Sequence, residues 1–130
     1  MTTVTMLSSK KEINAMTPFA MALPLLPGKT EDWRRWTQEI AEAQLNEFQA
    51  SRKRLGITRE ASFLQQTPVG DMGVLYIEAE DIAHALQGLA TSQDPFDVLF
   101  RQKTREFFGL DLEQPPAGPP PETVFDWRAR

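Results

Sequence analysis

The sequence predicts an α+β domain with a ferredoxin-like order of elements, β-α-β-β-α with room for one more strand, in which helices cover one face of an antiparallel sheet. Three observations predict it. "PFAMALPLL" at 18–26 alternates bulky and small side chains and runs into a capped amphipathic helix. Two further strand-like stretches, 57–67 and 72–80, follow close together, as an antiparallel hairpin requires. Two helical stretches then run to Gly109.

In the first strand Phe19, Met21, Leu23 and Leu25 fall on one face, and Ala20, Ala22 and Pro24 on the other. Pro24 offers no ladder donor, so it belongs at an edge or a strand end. Pro27-Gly28-Lys29 is a turn. One long helix is expected over about 31–55, with Thr30 as N-cap and Glu31 and Asp32 at the positive end of the helix dipole. Trp33, Trp36, Ile40, Phe48 and Leu55 share its apolar face, and Glu31 and Arg35 stand at i,i+4. Arg52, Lys53 and Arg54 suit its negative end, and Gly56 is free to take a left-handed cap.

After a turn at 68–71, the third strand places Leu75, Ile77 and Ala79 on one face and Met72, Val74, Tyr76 and Glu78 on the other. Asp81 caps a short helix with Ile82, Leu86 and Leu89 inward. Asp94 and Pro95 stand at N-cap and N1 of the next, with Asp97 in its first turn. The face carrying Ala20, Ala22, Val74 and Tyr76 is too apolar for open water, and its natural cover is the same face of a second copy in a two-fold homodimer.

Residues 1–15 read as a flexible leader, 16–112 as the domain, and 113–130 as a proline-rich arm ending in a strand-like "TVFDW" whose anchors are Phe125 and Trp127. Either Met1 or Met16 suits the true start. The net charge of −4, with one dense basic cluster, argues against nucleic acid. No cysteine is present, which removes disulfides, thiolate nucleophiles and cysteine metal sites and fits the cytoplasm. No apolar run spans a bilayer, so no membrane partner is expected.

"LPGKTEDWRRWTQEI", "REASFLQQTPVGDMGVLYIEAED" and "SQDPFDVLFRQKTREF" together resemble a family of small, functionally uncharacterised bacterial proteins of the dimeric α/β-barrel superfamily, which includes antibiotic-biosynthesis monooxygenases and haem-degrading enzymes. The resemblance covers roughly 17–110. It implies two sheets meeting across a dimer and ligands held between sheet and helices. The haem-degrading branch uses an asparagine on strand one, a tryptophan on strand three and a late histidine. Here those places hold Ala20 and Ala22, Tyr76, and a last helix without histidine, so haem chemistry is not carried over and no cofactor is expected.

Gly28-Lys29-Thr30 ends like a phosphate-binding P-loop, but Leu23 replaces the needed glycine, Pro24 and Pro27 remove donors, and Glu31 and Asp32 oppose phosphate. It reads as the turn that starts a helix. His84, the only histidine, has no second histidine for a metal site, and no metal is expected. Tyr76, Glu78 and His84 are the catalytic candidates: Glu78 as a base or orienter, Tyr76 as stacking partner or donor. Glu78 equally suits an ion pair that fixes dimer register, with Arg59 and Glu60 nearby. Trp33, Trp36, Arg59, Phe96 and Phe100 are the candidate ligand pocket. The residues select no reaction. They favour a small dimeric protein, ligand-binding or structural, taking a small apolar or aromatic ligand. The alternatives are a cofactor-free monooxygenase or isomerase for an aromatic or polyketide-like compound, and a subunit that binds another protein through its tail.

Overall fold

The computed structural model describes residues 16–130; the expected leader lies outside them. Three strands and four helices follow in the order β1 (Thr17–Pro24), α1 (Thr30–Ala41), α2 (Leu45–Leu55), β2 (Ile57–Thr67), β3 (Gly70–Ala79), α3 (Ile82–Thr91) and α4 (Pro95–Phe108). β3 lies between β1 and β2 and pairs antiparallel with both, so the two outer strands run the same way. The chain is therefore α+β, with a three-stranded antiparallel sheet.

The "PGK" turn has a clear cause. Pro27 supplies a fixed φ, Gly28 takes φ 79°, and the Lys29 amide donates to the Leu26 carbonyl at 3.1 Å. That is a type II turn, which needs glycine at its third position. Lys29 is the N-cap of α1 rather than Thr30. Thr30 instead sends its hydroxyl to Asp71 Oδ2 at 2.7 Å, tying the start of α1 to the β2–β3 hairpin. The first-turn ion pairs are Glu31–Arg34 and Asp32–Arg35, at i,i+3 rather than i,i+4.

The expected long helix is two helices. The ladder breaks at Glu42 (φ −122°, ψ −85°) and restarts at Leu45. No glycine or proline marks residues 42–44; the turn is closed locally, with the Glu42 and Gln44 amides both donating to the Glu39 carbonyl. Gly56 (φ 74°) and Gly109 (φ 67°) cap α2 and α4 in the left-handed region, as expected. Asp81 accepts from the His84 amide at 3.0 Å and Asp94 from the Phe96 amide at 3.0 Å, so both predicted caps form.

The expected strand faces also form. Leu25, Ile77 and Ala79 are buried under the helices, while Ala20 and Ala22 are exposed. The core falls into two clusters. One gathers Leu55, Ile57, Ile77, Ala79, Ala85 and Leu89; the other gathers Leu25, Trp33, Trp36, Phe96 and Phe107. Phe100 packs against both. At Gly73 on β3, an added Cβ would lie 2.7 Å from the Phe108 ring and 3.3 Å from Trp33, so the bare backbone is what lets both rings lie on the sheet.

No strand forms after α4, and the expected terminal strand is not part of this sheet. Val124, Phe125 and Trp127 are largely exposed. Among the described residues no helix is long and apolar enough to cross a membrane.

Candidate functional site: a cavity between sheet and helices

A cavity of about 460 Å³ separates the sheet from the helices. That is within the range that holds a small organic ligand. Phe19, Met21, Leu23, Leu75 and Ile77 form its floor. Trp33, Trp36, Phe48, Phe100, Phe107 and Phe108 supply aromatic walls. Ala41, Leu45 and Leu86 line it and are also exposed, so they stand at its rim.

One wall is charged. Arg52 on α2 is almost fully buried and grips Glu60 on β2 with two bonds, Nε to Oε1 at 2.8 Å and Nη2 to Oε2 at 3.2 Å. Its Nη1 donates to Ser51 Oγ at 3.0 Å. Its guanidinium carbon lies 4.4 Å from the ring centres of both Phe48 and Phe100. A guanidinium is flat and weakly hydrated, so two aromatic faces and one carboxylate can replace its water.

The backbone makes this pairing by a small irregularity. Gly56 alone joins α2 to β2. Thr58 then forms a β-bulge, because Ile57 pairs with Ala79 and Arg59 with Glu78. Along a regular strand Ile57 and Glu60 would face opposite ways. The extra residue turns both toward the helices, and both line the cavity.

Beneath α2 lies a second polar centre, closed to the cavity. Asp97 is fully buried and accepts from Ser51 at 2.5 Å, Ser92 at 2.6 Å and Arg54 at 3.3 Å. Burial pushes its carboxyl up, but the bonds from Ser51, Ser92 and Arg54 outweigh that and hold it below the ordinary 3.8. The basic cluster is thus more than a dipole match: Arg52 holds Glu60, and Arg54 pairs with Asp94 and Asp97.

A family profile matches residues 16–115 of the chain, and its description is a family of unknown function, DUF6176. The chain belongs to DUF6176. No curated protein and no solved structure matches it.

In this DUF6176 chain the sequence-predicted site residues divide between two faces. Trp33, Trp36 and Phe100 line the cavity. Phe96 does not; it is buried behind them, stacked on Trp36 at 6.4 Å and edge-on to Phe48 at 6.1 Å. Arg59 lies on the opposite face of the sheet, across from Glu78 and with its guanidinium 5.9 Å from the Tyr76 ring. Tyr76 donates to Glu78 Oε2 at 2.6 Å. That bond, with partial burial and the Glu78 charge, raises the Tyr76 phenol above its ordinary 10.0, against the opposing Arg128 and Arg59 cations. Tyr76, Glu78 and Arg59 therefore form one polar cluster on the face away from the cavity. Glu60, expected beside Glu78, is on the cavity side with Arg52.

His84 is exposed on α3, and its backbone amide is bound to Asp81. It lines neither the cavity nor the Tyr76 cluster. Among the described residues no group of three or more His, Asp or Glu is placed to hold a metal ion. The sequence reading missed Arg52, Glu60 and Asp97. No period in the sequence marks the first pair, because the bulge at Thr58 shifts Glu60 to the cavity face.

Proposed function

We propose that this protein binds a small apolar or aromatic molecule between its sheet and its helices, as a two-fold homodimer of ferredoxin-like halves. The observation that carries the reading is the cavity of about 460 Å³ with aromatic walls and one charged edge. A chain that needed only a stable core would close such a space, because interiors pack to crystal-like density and voids are costly. The dimer is supported by the opposite face of the sheet. Ala20, Ala22 and Phe63 are exposed there, with Phe63 at 56%, beside the Arg59–Tyr76–Glu78 cluster. An exposed apolar sheet face with a polar centre suits a two-fold contact.

The alternative is a cofactor-free monooxygenase or isomerase built on Tyr76, Glu78 and His84. The cavity lends it no support, since none of the three lines it.

A thermal-shift screen of small aromatic compounds tests the binding. Hits should raise the melting temperature of the native chain and leave Ala41→Trp unchanged, because the indole fills the rim. If no compound stabilises the native chain, the proposal fails.

A further inference from the structure

We infer that the ligand is a neutral aromatic molecule carrying a hydroxyl group, and that Glu60, held by Arg52, selects it against carboxylates. This rests on the ligand-binding reading above and adds the chemistry of the ligand.

The polar atoms of the cavity wall are the basis. Arg52 is the more committed member of its pair. Three of its five N–H groups are engaged, Nε and Nη2 by Glu60 and Nη1 by Ser51, and its guanidinium carbon lies 4.4 Å from the ring centres of both Phe48 and Phe100. Its side chain is 6% exposed, against 19% for Glu60. The accessible member of the pair is therefore the carboxylate. A carboxylate has about four lone-pair directions, so two remain after Arg52 is served.

The other polar groups lean the same way. Thr37 and Thr104 both line the cavity, and both spend their hydroxyl protons on helix carbonyls, at Arg34 (2.8 Å) and Phe100 (2.9 Å). Each then presents only lone pairs to the space. Ser62, two residues beyond Glu60 on the same strand face, lines it as well and can give or take a hydrogen bond.

A wall rich in acceptors calls for a donor. A phenolic O–H aimed at Glu60 makes a charge-assisted bond, roughly twice as strong as a neutral one. A carboxylate ligand meets the more exposed Glu60 charge first, and the cation on this wall, Arg52, already has its charge matched by Glu60. Its desolvation would be poorly compensated. The aromatic walls favour a flat ring over a flexible chain, because offset and edge contacts add to area burial.

The test uses 2-naphthol, naphthalene and 2-naphthoate with the full chain at pH 7. Affinity is read from the indole N–H signals of Trp33 and Trp36 in NMR titrations. Trp127, outside the cavity, is the internal control. The expected order is 2-naphthol about tenfold tighter than naphthalene, in line with one hydrogen bond to a charged group, and 2-naphthoate weakest. Glu60→Gln should erase most of the naphthol preference and tighten 2-naphthoate at least tenfold, since it leaves the Arg52 charge unmatched. If Glu60→Gln does not fold, the order of the three ligands on the native chain decides alone. 2-Naphthoate binding as tightly as 2-naphthol, 2-naphthol binding no tighter than naphthalene, or a folded Glu60→Gln with unchanged preferences each overturns the inference and leaves the cavity as a binding site. If none of the three moves Trp33 or Trp36, ligand binding itself falls, and this inference with it.

Discussion

Ser51 on α2 and Asp97 on α4 are 46 positions apart in the chain, yet the Ser51 hydroxyl donates to the Asp97 carboxylate at 2.5 Å in a fully buried setting. Ser92 and Arg54 bind the same carboxylate, so one side chain fixes α2, the α3–α4 joint and α4 together. Ser92 also accepts from the Asp94 amide at 3.2 Å. The "SQDPFD" stretch is thus a structural clasp.

Asp97→Asn should destabilise the fold by about 2–4 kcal/mol in urea unfolding, because an amide nitrogen would face donors it cannot accept from. The acid limb checks the cause. Asp97 is held below 3.8 in the fold, so its contribution is present above that value and is lost as pH falls through the lower, folded value. The native chain should lose stability over that acid window, and Asp97→Asn should show a shallower loss. Equal slopes would mean that Asp97 is not the group titrating.

Gly73→Val should cost about 1–3 kcal/mol, and even Gly73→Ala should be felt, because the new Cβ sits 2.7 Å from Phe108. Thermal unfolding gives the size. Adding Phe108→Leu to Gly73→Ala should recover part of the loss; no recovery would place the strain elsewhere.

Glu60→Leu should cost about 3 kcal/mol by stranding the buried Arg52 charge, low in the range for broken buried pairs because Glu60 keeps some solvent. Arg52→Met with Glu60→Leu should return most of that stability, since two apolar groups leave nothing unpaired. A double-mutant cycle by urea unfolding measures the coupling. A coupling near zero would show that the pair does little for the fold.

On the opposite face, Val74→Arg should yield monomers by small-angle scattering at micromolar concentration if the sheets meet across a two-fold axis. Removing residues 115–130 should lower dimer stability if Phe125 and Trp127 anchor the arm. A native chain that scatters as a monomer removes the dimer. An unchanged dimer after truncation removes the anchors.

Much of the fold was legible in the sequence because its signals are local. Asp81, Asp94-Pro95, Gly56 and Gly109 mark helix ends through backbone chemistry a single residue carries. β1 and β3 alternate cleanly, so their faces could be read. The break at 42–44 was not legible, because no breaker residue marks it. Nor was the site. Trp33, Trp36 and Phe100 were found by helical spacing, but Arg52 and Glu60 were hidden by the bulge at Thr58, which breaks the period-two reading of β2. Tyr76 and Glu78 were rightly placed on one face together, and that face is not the one with the cavity.

That bulge divides β2 into a forgiving end and a counted length. Deleting Thr58 would resorb the bulge into a regular ladder with Ile57 and Glu60 still beneath the helices, whereas deleting one residue between Glu60 and the hairpin would set the rest of β2 out of phase: Ser62 would turn outward and Phe63 inward beneath the helices. The tip of the β2–β3 hairpin carries no such constraint. Val69 there is 95% exposed, and added residues would only lengthen a loop. Length variation within DUF6176 should therefore gather at the hairpin tip and at the bulge, and stay out of residues 60–66, where a gap of one residue is equivalent to rewriting a whole strand.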